Sequence, residues 1–326
     1  MSDRLDVVAI GNAIVDVLAR VEDPFLSENA VEKGIMTLID QDRALGLYDA
    51  MPPAEEVSGG SAANTAAGVG ALGCKAGFIG RVKDDQLGQI FAHDIRALGV
   101  HYAGPITPDG AETSRCLVLV SPDGERSMST FLGASTQLVA DDIDTDLLGR
   151  TDWLYLEGYL FDTPEAKAAY ARAIWATKRG GGKTSITLSD PFCVDRHRDD
   201  FRLLIKGEID LLFANQAELL SLYEVSDLDS ALDMVAQDVD AAAVTLSDQG
   251  SVIVRGRDRT WVGATNVKVV DTTGAGDLFA AGFLAGLAQG ADDAGAARMG
   301  AIAAGEVISH LGARPEADLK ALVAAA

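Results

Sequence analysis

Apolar runs bounded by turn residues recur along the chain: D-V-V-A-I (6–10), A-G-F-I-G (76–80), W-L-Y-L-E-G (153–158), S-I-T-L-S-D (185–190), D-L-L-F-A-N (210–215) and A-A-V-T-L-S (242–247). Between them lie stretches of helical spacing, among them 85–98, 164–180, 216–222 and 229–237. Strands that are apolar on both faces and alternate with helices specify a mostly parallel sheet covered by helices. The expected class is α/β. Three stretches break the rhythm, at 14–21, 35–39 and 114–131, and in the last a turn, S-P-D-G-E, separates two strand-like runs. They predict a small accessory β-sheet that projects from the core as a lid; the alternative is a set of extra edge strands. From Gly276 to Ala325 the chain is Ala-rich and helical, broken once by Gly312 and Pro315. No internal repeat or linker divides the chain, so residues 1–326 read as a single domain with the lid strands inserted in it.

The formal net charge of −22 restricts partners, because a polyanionic surface is repelled by nucleic-acid phosphates and anionic headgroups. Neither nucleic acid nor membrane is an expected partner. An anionic ligand would need local donors, from helix N-termini, a few arginines and a divalent cation. Cys74, Cys116 and Cys193 are widely spaced in apolar runs and read as reduced, packed thiols. The N-terminal residues lead straight into a strand without a signal-peptide-like apolar stretch, and the expected location is the cytoplasm.

Two glycine patterns mislead. Gly68-Val69-Gly70-Ala71-Leu72-Gly73 fits G-x-G-x-x-G but precedes its strand, whereas a dinucleotide fingerprint follows one; its glycines are expected to permit close helix packing and to end the helix. Gly182-Lys183-Thr184 resembles the end of a P-loop, yet Thr177 stands where the first glycine belongs, so it reads as a turn into a strand.

The chemically informative stretch is D-T-T-G-A-G-D-L-F-A-A-G-F (271–283). Gly274 and Gly276 allow backbone conformations that side chains obstruct, and the apolar run from Leu278 predicts a helix starting near Ala275. Backbone N–H groups of Gly274, Ala275, Gly276 and Asp277 can then converge on one point where the helix dipole favours negative charge. A carboxylate at Asp277 would sit beside that anion hole, as a general base must. The competing reading is an aspartate that only caps its helix.

D-T-T-G-A-G-D resembles the C-terminal signature of the ribokinase-like, or PfkB, family of carbohydrate and nucleoside kinases. G-G-S-A-A-N-T-A (59–66), running on to G-A-L-G and F-I-G-R-V, is similar to the N-terminal signature, and N-Q-A-E (215–218) to the family's N-x-x-E motif. The resemblance implies a three-layer α/β/α domain with a small β-sheet lid. It implies Asp277 as base, with Gly274, Ala275 and Gly276 as anion hole and Arg126 reaching the transferring phosphate. Asn215 and Glu218 would act on Mg²⁺ and phosphate through water. T-L-S-D-Q-G (245–250) resembles the nucleotide-binding loop and implicates Thr245, Ser247 and Gly250, with Ser247 where many members have glycine. Asp271 and Thr273 are candidates for a monovalent cation site, for K⁺.

On the acceptor side, Asn12 and Asp16 follow a buried strand at N-x-x-x-D spacing, and Gly59, Gly60 and Asn64 follow a turn; such groups suit vicinal hydroxyls of a furanose. The same spacing is similar to the arrangement by which adenosine kinases of this family hold ribose. Met36, Met128, Tyr159 and Phe192 are candidates for an apolar slot around a base, although such residues are also ordinary core. The expected activity is transfer from ATP·Mg²⁺ to a primary hydroxymethyl group, the 5′-OH of adenosine by preference, in a monomer or homodimer acting on small molecules. The alternatives are a sugar kinase of the ribokinase or fructokinase type and a non-catalytic nucleotide or sugar sensor.

Overall fold

The computed structural model describes residues 4–326. Nine strands form one sheet in the order β16 (Asp258–Val262), β15 (Ser251–Arg255), β14 (Ala241–Thr245), β13 (Leu211–Asn215), β12 (Lys183–Thr187), β11 (Thr151–Glu157), β1 (Leu5–Ile10), β5 (Ala76–Ile79), β7 (His101–Tyr102). From β14 to β7 every neighbouring pair is parallel; β14–β15 and β15–β16 are antiparallel. Alternate residues feed opposite layers. Val7, Ala9, Ala241, Ala243 and Ile253 pack on one side, Val8, Ile10, Ala242, Val244 and Val252 on the other. The helices behind the first layer include α3 (Ser61–Ala71), α4 (Gln86–Ala97), α10 (Ala275–Ala288) and α11 (Asp293–Val307). Those behind the second include α6 (Pro164–Arg179), α7 (Pro191–Glu208), α8 (Gln216–Tyr223) and α9 (Leu228–Asp238). The fold is thus ribokinase-like α/β, three-layered as expected. Three short helices, α1 (Asp23–Glu28), α2 (Gln41–Ala50) and α5 (Thr145–Leu148), and a terminal one, α12 (Leu319–Ala324), complete the α-helices among the described residues.

A second sheet has the order β3 (Met36–Leu38), β10 (Arg126–Phe131), β9 (Ser114–Val120), β2 (Ile14–Arg20), β4 (Glu55–Gly59), and β6 (Val82–Lys83) pairs with β8 (Ile106–Thr107) separately. The accessory stretches therefore make their own sheet and do not extend the large one. Period-2 alternation gives it two jobs: Val15, Val17, Leu117 and Leu119 enter the main core, while Ile14, Asp16, Leu18, Cys116 and Val118 face a cavity.

One expectation needs correction, and one strand went unread. The Ala-rich C-terminal stretch breaks twice, because Gly290 at φ +84° ends one helix and Asp292 caps the next. E-E-V-S-G has no strand signature of its own, and it becomes β4 through antiparallel pairing with β2. Both glycine decoys behave as expected: a Cβ at Gly68 would come within 2.7 Å of Ala281 and Leu278 on α10, Gly73 turns at φ +89°, and Lys183 opens β12. No helix among the described residues is long and apolar enough to cross a membrane.

Candidate active site

The parallel strands deliver Glu157, Thr187, Asn215 and Thr245 at their C-terminal ends, and the last three line a cavity of about 1100 Å³ between this edge and the small sheet. A crevice beyond the carboxyl ends of the strands is where open α/β sheets take ligands.

On one wall α10 starts at Ala275, with Gly274 before it at φ +78°. This glycine is required twice, since any Cβ would also lie 2.7 Å from that of Ala313. The backbone N–H of Ala275 is spent on the carbonyl of Thr272 (3.2 Å), so it is not one of the anion-hole donors expected from the sequence. The N–H groups of Gly274, Gly276 and Asp277 have no acceptor among the described residues. Gly276 has open space where a side chain would stand.

Asp277 is the third residue of α10, and its carboxylate is held by the start of α3. Ser61 Oγ donates to Oδ1 (2.6 Å), Asn64 Nδ2 donates to Oδ2 (2.8 Å), and Thr65 Oγ1 donates to the Asp277 carbonyl (3.2 Å). Burial pushes its pKa above the ordinary carboxylate value, while the two hydrogen bonds and the charge of Arg314 pull it down. A carboxylate with raised affinity for protons, orientated by two neutral donors and beside unspent N–H groups, is chemically suited to accept a proton.

Asp16 faces the cavity from β2, its carboxylate 2.3 Å from where a Cβ on Gly59 would stand, and burial raises its pKa to about 6 against the charges of Arg314 and Arg126. Gly60 caps α3 at φ +95° and lies too close to the Asn12 carbonyl for any side chain. Asn64 lines the cavity with a buried Oδ1 that lacks a partner. Asn12 is placed differently: it is buried behind the wall, where its Nδ2 donates to Glu157 Oε1 (2.7 Å). Met128 and Tyr159 line the cavity, whereas Met36 sits beside Met128 on the outermost strand and away from the wall. Phe192 near the start of α7 is 76% exposed and not on the wall, contrary to its expected place in a base slot.

At the far end, Asn215 caps α8 in a reciprocal box. Its Oδ1 accepts from the Glu218 N–H (2.9 Å), and Glu218 accepts from the Asn215 N–H (2.9 Å) and Nδ2 (2.6 Å). Glu218 is nearly inaccessible, and burial raises its pKa to about 7. Among the described residues no three His, Cys, Asp or Glu side chains gather around a metal-sized point. This donor set fits a hydrated divalent cation carried largely by phosphate and water, with Glu218 and Asn215 as the protein's part. Ser247, on the cavity wall, adopts φ +56°, a left-handed conformation suited to the glycine of related loops. Gly250 lies behind it, packed on the Val262 carbonyl.

Arg126 reaches down from β10 to Asp271 (3.0 Å) and Thr273 Oγ1 (3.3 Å). Asp271 also accepts from Thr273 N (3.1 Å) and Thr273 Oγ1 (2.7 Å) on one oxygen and from Gly312 N (2.9 Å) on the other, which also forms the ion pair with Arg126, so the residue ties the small sheet to the turn.

Sequence reasoning missed three residues. Ser61 lay inside a quoted motif without a role. Glu157, a charge ending an otherwise apolar strand, accepts from Asn12 and from the Ala62 N–H (2.9 Å) and is pushed by burial to about 7. Arg314 stood beside what was read only as a helix break, and it lines the cavity.

Residues 46–319 match the model of the pfkB family carbohydrate kinases. The structure is similar to that of a probable sugar kinase from Rhizobium etli CFN 42 (TM-score 0.91, 48% identity, 100% of this chain and 99% of that one). It is equally similar to the adenosine kinase from Sinorhizobium meliloti (TM-score 0.91, 49% identity, 99% of each chain). An ATP-dependent ribose-1-phosphate kinase from Halopiger xanaduensis is 33% identical over 234 residues, 70% of this chain and 72% of that protein. With both signatures converging on one cavity and the family model spanning residues 46–319, the chain belongs to the pfkB family of carbohydrate kinases and is a kinase.

Proposed function

We propose that the protein transfers the γ-phosphoryl group of ATP to a primary hydroxymethyl group of a nucleoside, with adenosine as preferred acceptor. The observation that carries this reading is Asp277 at the N-terminus of α10, fixed by Ser61 and Asn64 in a cavity that has Asp16 on one side and the Asn215–Glu218 box on the other. Asp277 takes the acceptor's proton, while the N–H groups of Gly274, Gly276 and Asp277 and the helix dipole stabilise charge on the phosphoryl oxygens. Arg126 adds a guanidinium once it exchanges Asp271 for phosphate. Mg²⁺ bound near Glu218 would neutralise phosphate charge. Asp16 and the free Oδ1 of Asn64 accept from sugar hydroxyls.

The nucleoside preference rests on the apolar inner face of the lid, where Ile14, Leu18, Cys116, Val118 and Met128 offer a surface that suits a purine and that a bare polyol does not need. The near-half identity to an adenosine kinase supports it, and the similar identity to a sugar kinase keeps a ribokinase- or fructokinase-type acceptor as the second reading. We assign the activity to the cytoplasm and to small-molecule substrates. A K⁺ requirement would show as loss of turnover when Na⁺ replaces K⁺. ADP release measured against adenosine, other nucleosides, ribose, fructose and ribose 1-phosphate tests the acceptor: adenosine is expected to give the highest kcat/KM, and a free sugar as best acceptor overturns the preference.

A further inference from the structure

We propose that Arg314 is a positioning residue for phosphoryl transfer, clamping the Gly59–Gly60 turn from both ends and placing a fixed positive charge between Asp16 and Asp277. This rests on the reading of Asp277 as base.

The segment carrying Arg314 is itself immobilised. Glu306 on α11 accepts from the N–H groups of Glu316 (2.9 Å) and Ala317 (2.8 Å) and pairs with His310 (3.2 Å), while Gly312 N–H donates to Asp271 (2.9 Å). From there the guanidinium spreads over two carbonyls. Nε and one terminal nitrogen donate to Ser58 O (3.2 and 2.7 Å), the latter also to Ser58 Oγ (3.1 Å), and the other terminal nitrogen donates to Ala63 O (2.7 Å). Ser58 lies in β4 and Ala63 in the first turn of α3, so the fork spans the two glycines and Ser61, whose hydroxyl holds Asp277. Only a planar, multiply donating cation can hold two carbonyls on either side of such a turn.

Its charge has an equally specific setting. The carboxylates facing it are Asp16 from β2, Asp277 from α10 and Asp94 from α4, the last also accepting the Ser58 N–H (2.7 Å). Around these stand Arg126 from β10, which acts on Asp16, and Glu157 from β11, which feels the charge of Asp277; Tyr155 and Tyr159 stay protonated because burial raises them. Burial lowers Arg314 to about 10, so it is charged at neutral pH. Two carboxylates facing one acceptor site repel each other, and one would hold a proton without a compensating cation. A guanidinium acting only as a carbonyl clamp would leave the protonation of the base unchanged, and this separates the proposal from a purely structural role.

The test is the pH dependence of kcat/KM for the parent, Arg314→Lys, Arg314→Gln and Asp277→Asn, with the best acceptor from the panel. Arg314→Gln is expected to move the acidic limb upward by about one pH unit. Arg314→Lys keeps the limb in place but loses turnover by about ten-fold or more, because an ammonium cannot grip both carbonyls. An unshifted limb in Arg314→Gln overturns the proposal. If that variant does not fold, Arg314→Lys decides, and parent-like turnover there overturns it. An inactive Asp277→Asn with an unshifted Arg314→Gln sinks this inference alone, whereas an active Asp277→Asn removes the base and the inference together.

Discussion

Replacing Asp277 by asparagine separates catalysis from folding, because the structure can accept the amide with every partner satisfied. The amide oxygen takes the Asn64 N–H at the 2.8 Å position, and the amide NH₂ faces Ser61 Oγ at 2.6 Å, where the hydroxyl turns from donor to acceptor. No buried polar atom loses its bond, and a carboxylate whose charged form burial disfavours is removed. Stability at neutral pH should therefore stay within about 1 kcal/mol of the parent or rise, a change of roughly 2–4 °C in melting temperature. Turnover should fall about 10²- to 10⁴-fold, the range for a positioned acid or base, which corresponds to about 2.7–5.5 kcal/mol in the barrier. Thermal melts, calorimetric ATP binding and ADP release on the same preparation measure the three quantities. Near-parent turnover, or a collapse in melting temperature, would refute the reasoning.

Asp16→Ala should lower turnover more than ten-fold, since sugar hydroxyls lose a charged partner, while Phe192→Ala should leave KM for adenosine within about two-fold because its ring stands outside the wall. Steady-state kinetics of the pair checks both, and a strong Phe192 effect would restore that ring to the acceptor site. Glu218→Gln should raise the Mg²⁺ concentration needed for half-maximal rate, read from a metal titration at fixed ATP; an unchanged requirement makes Glu218 a helix cap only. The raised carboxyls Asp16 (about 6), Glu157 (about 7) and Glu218 (about 7) contribute stability that is fully present below about pH 4 and lost as pH rises through 7. The ligand-free melting temperature should accordingly decline between pH 5 and pH 8, and a steady climb over that range would contradict their burial.

The alternation of strands and helices was legible because each strand is short, apolar on both faces and closed by turn residues, and the helix start at Ala275 was legible because two glycines and an apolar run mark it. What escaped reading was set by partners far away in the chain. β4 carries two glutamates and a glycine and is a strand only beside β2. The bonds made by Glu157 reach back to Asn12 and Ala62, and those of Arg314 to Ser58 and Ala63, distances along the sequence over which no local pattern speaks. Phe192 illustrates the reverse case: Asp190 caps α7 by accepting from the Cys193 N–H (2.6 Å), yet nothing local sets the direction in which the Phe192 ring points.

The hydrogen bonds that hold Asp277 span more than 200 residues of sequence, and those of Arg314 more than 250. Contacts of such separation carry the full entropic cost of loop closure before they return any stability, so they form late. During synthesis β2, β4 and α3 leave the ribosome long before α10, and Asp277 joins Ser61 and Asn64 only after most of the polypeptide is made. A nascent or truncated chain ending before α10 has the wall built by β2, β4 and α3 with nothing opposite, and activity is expected as a single late event and not in proportion to length.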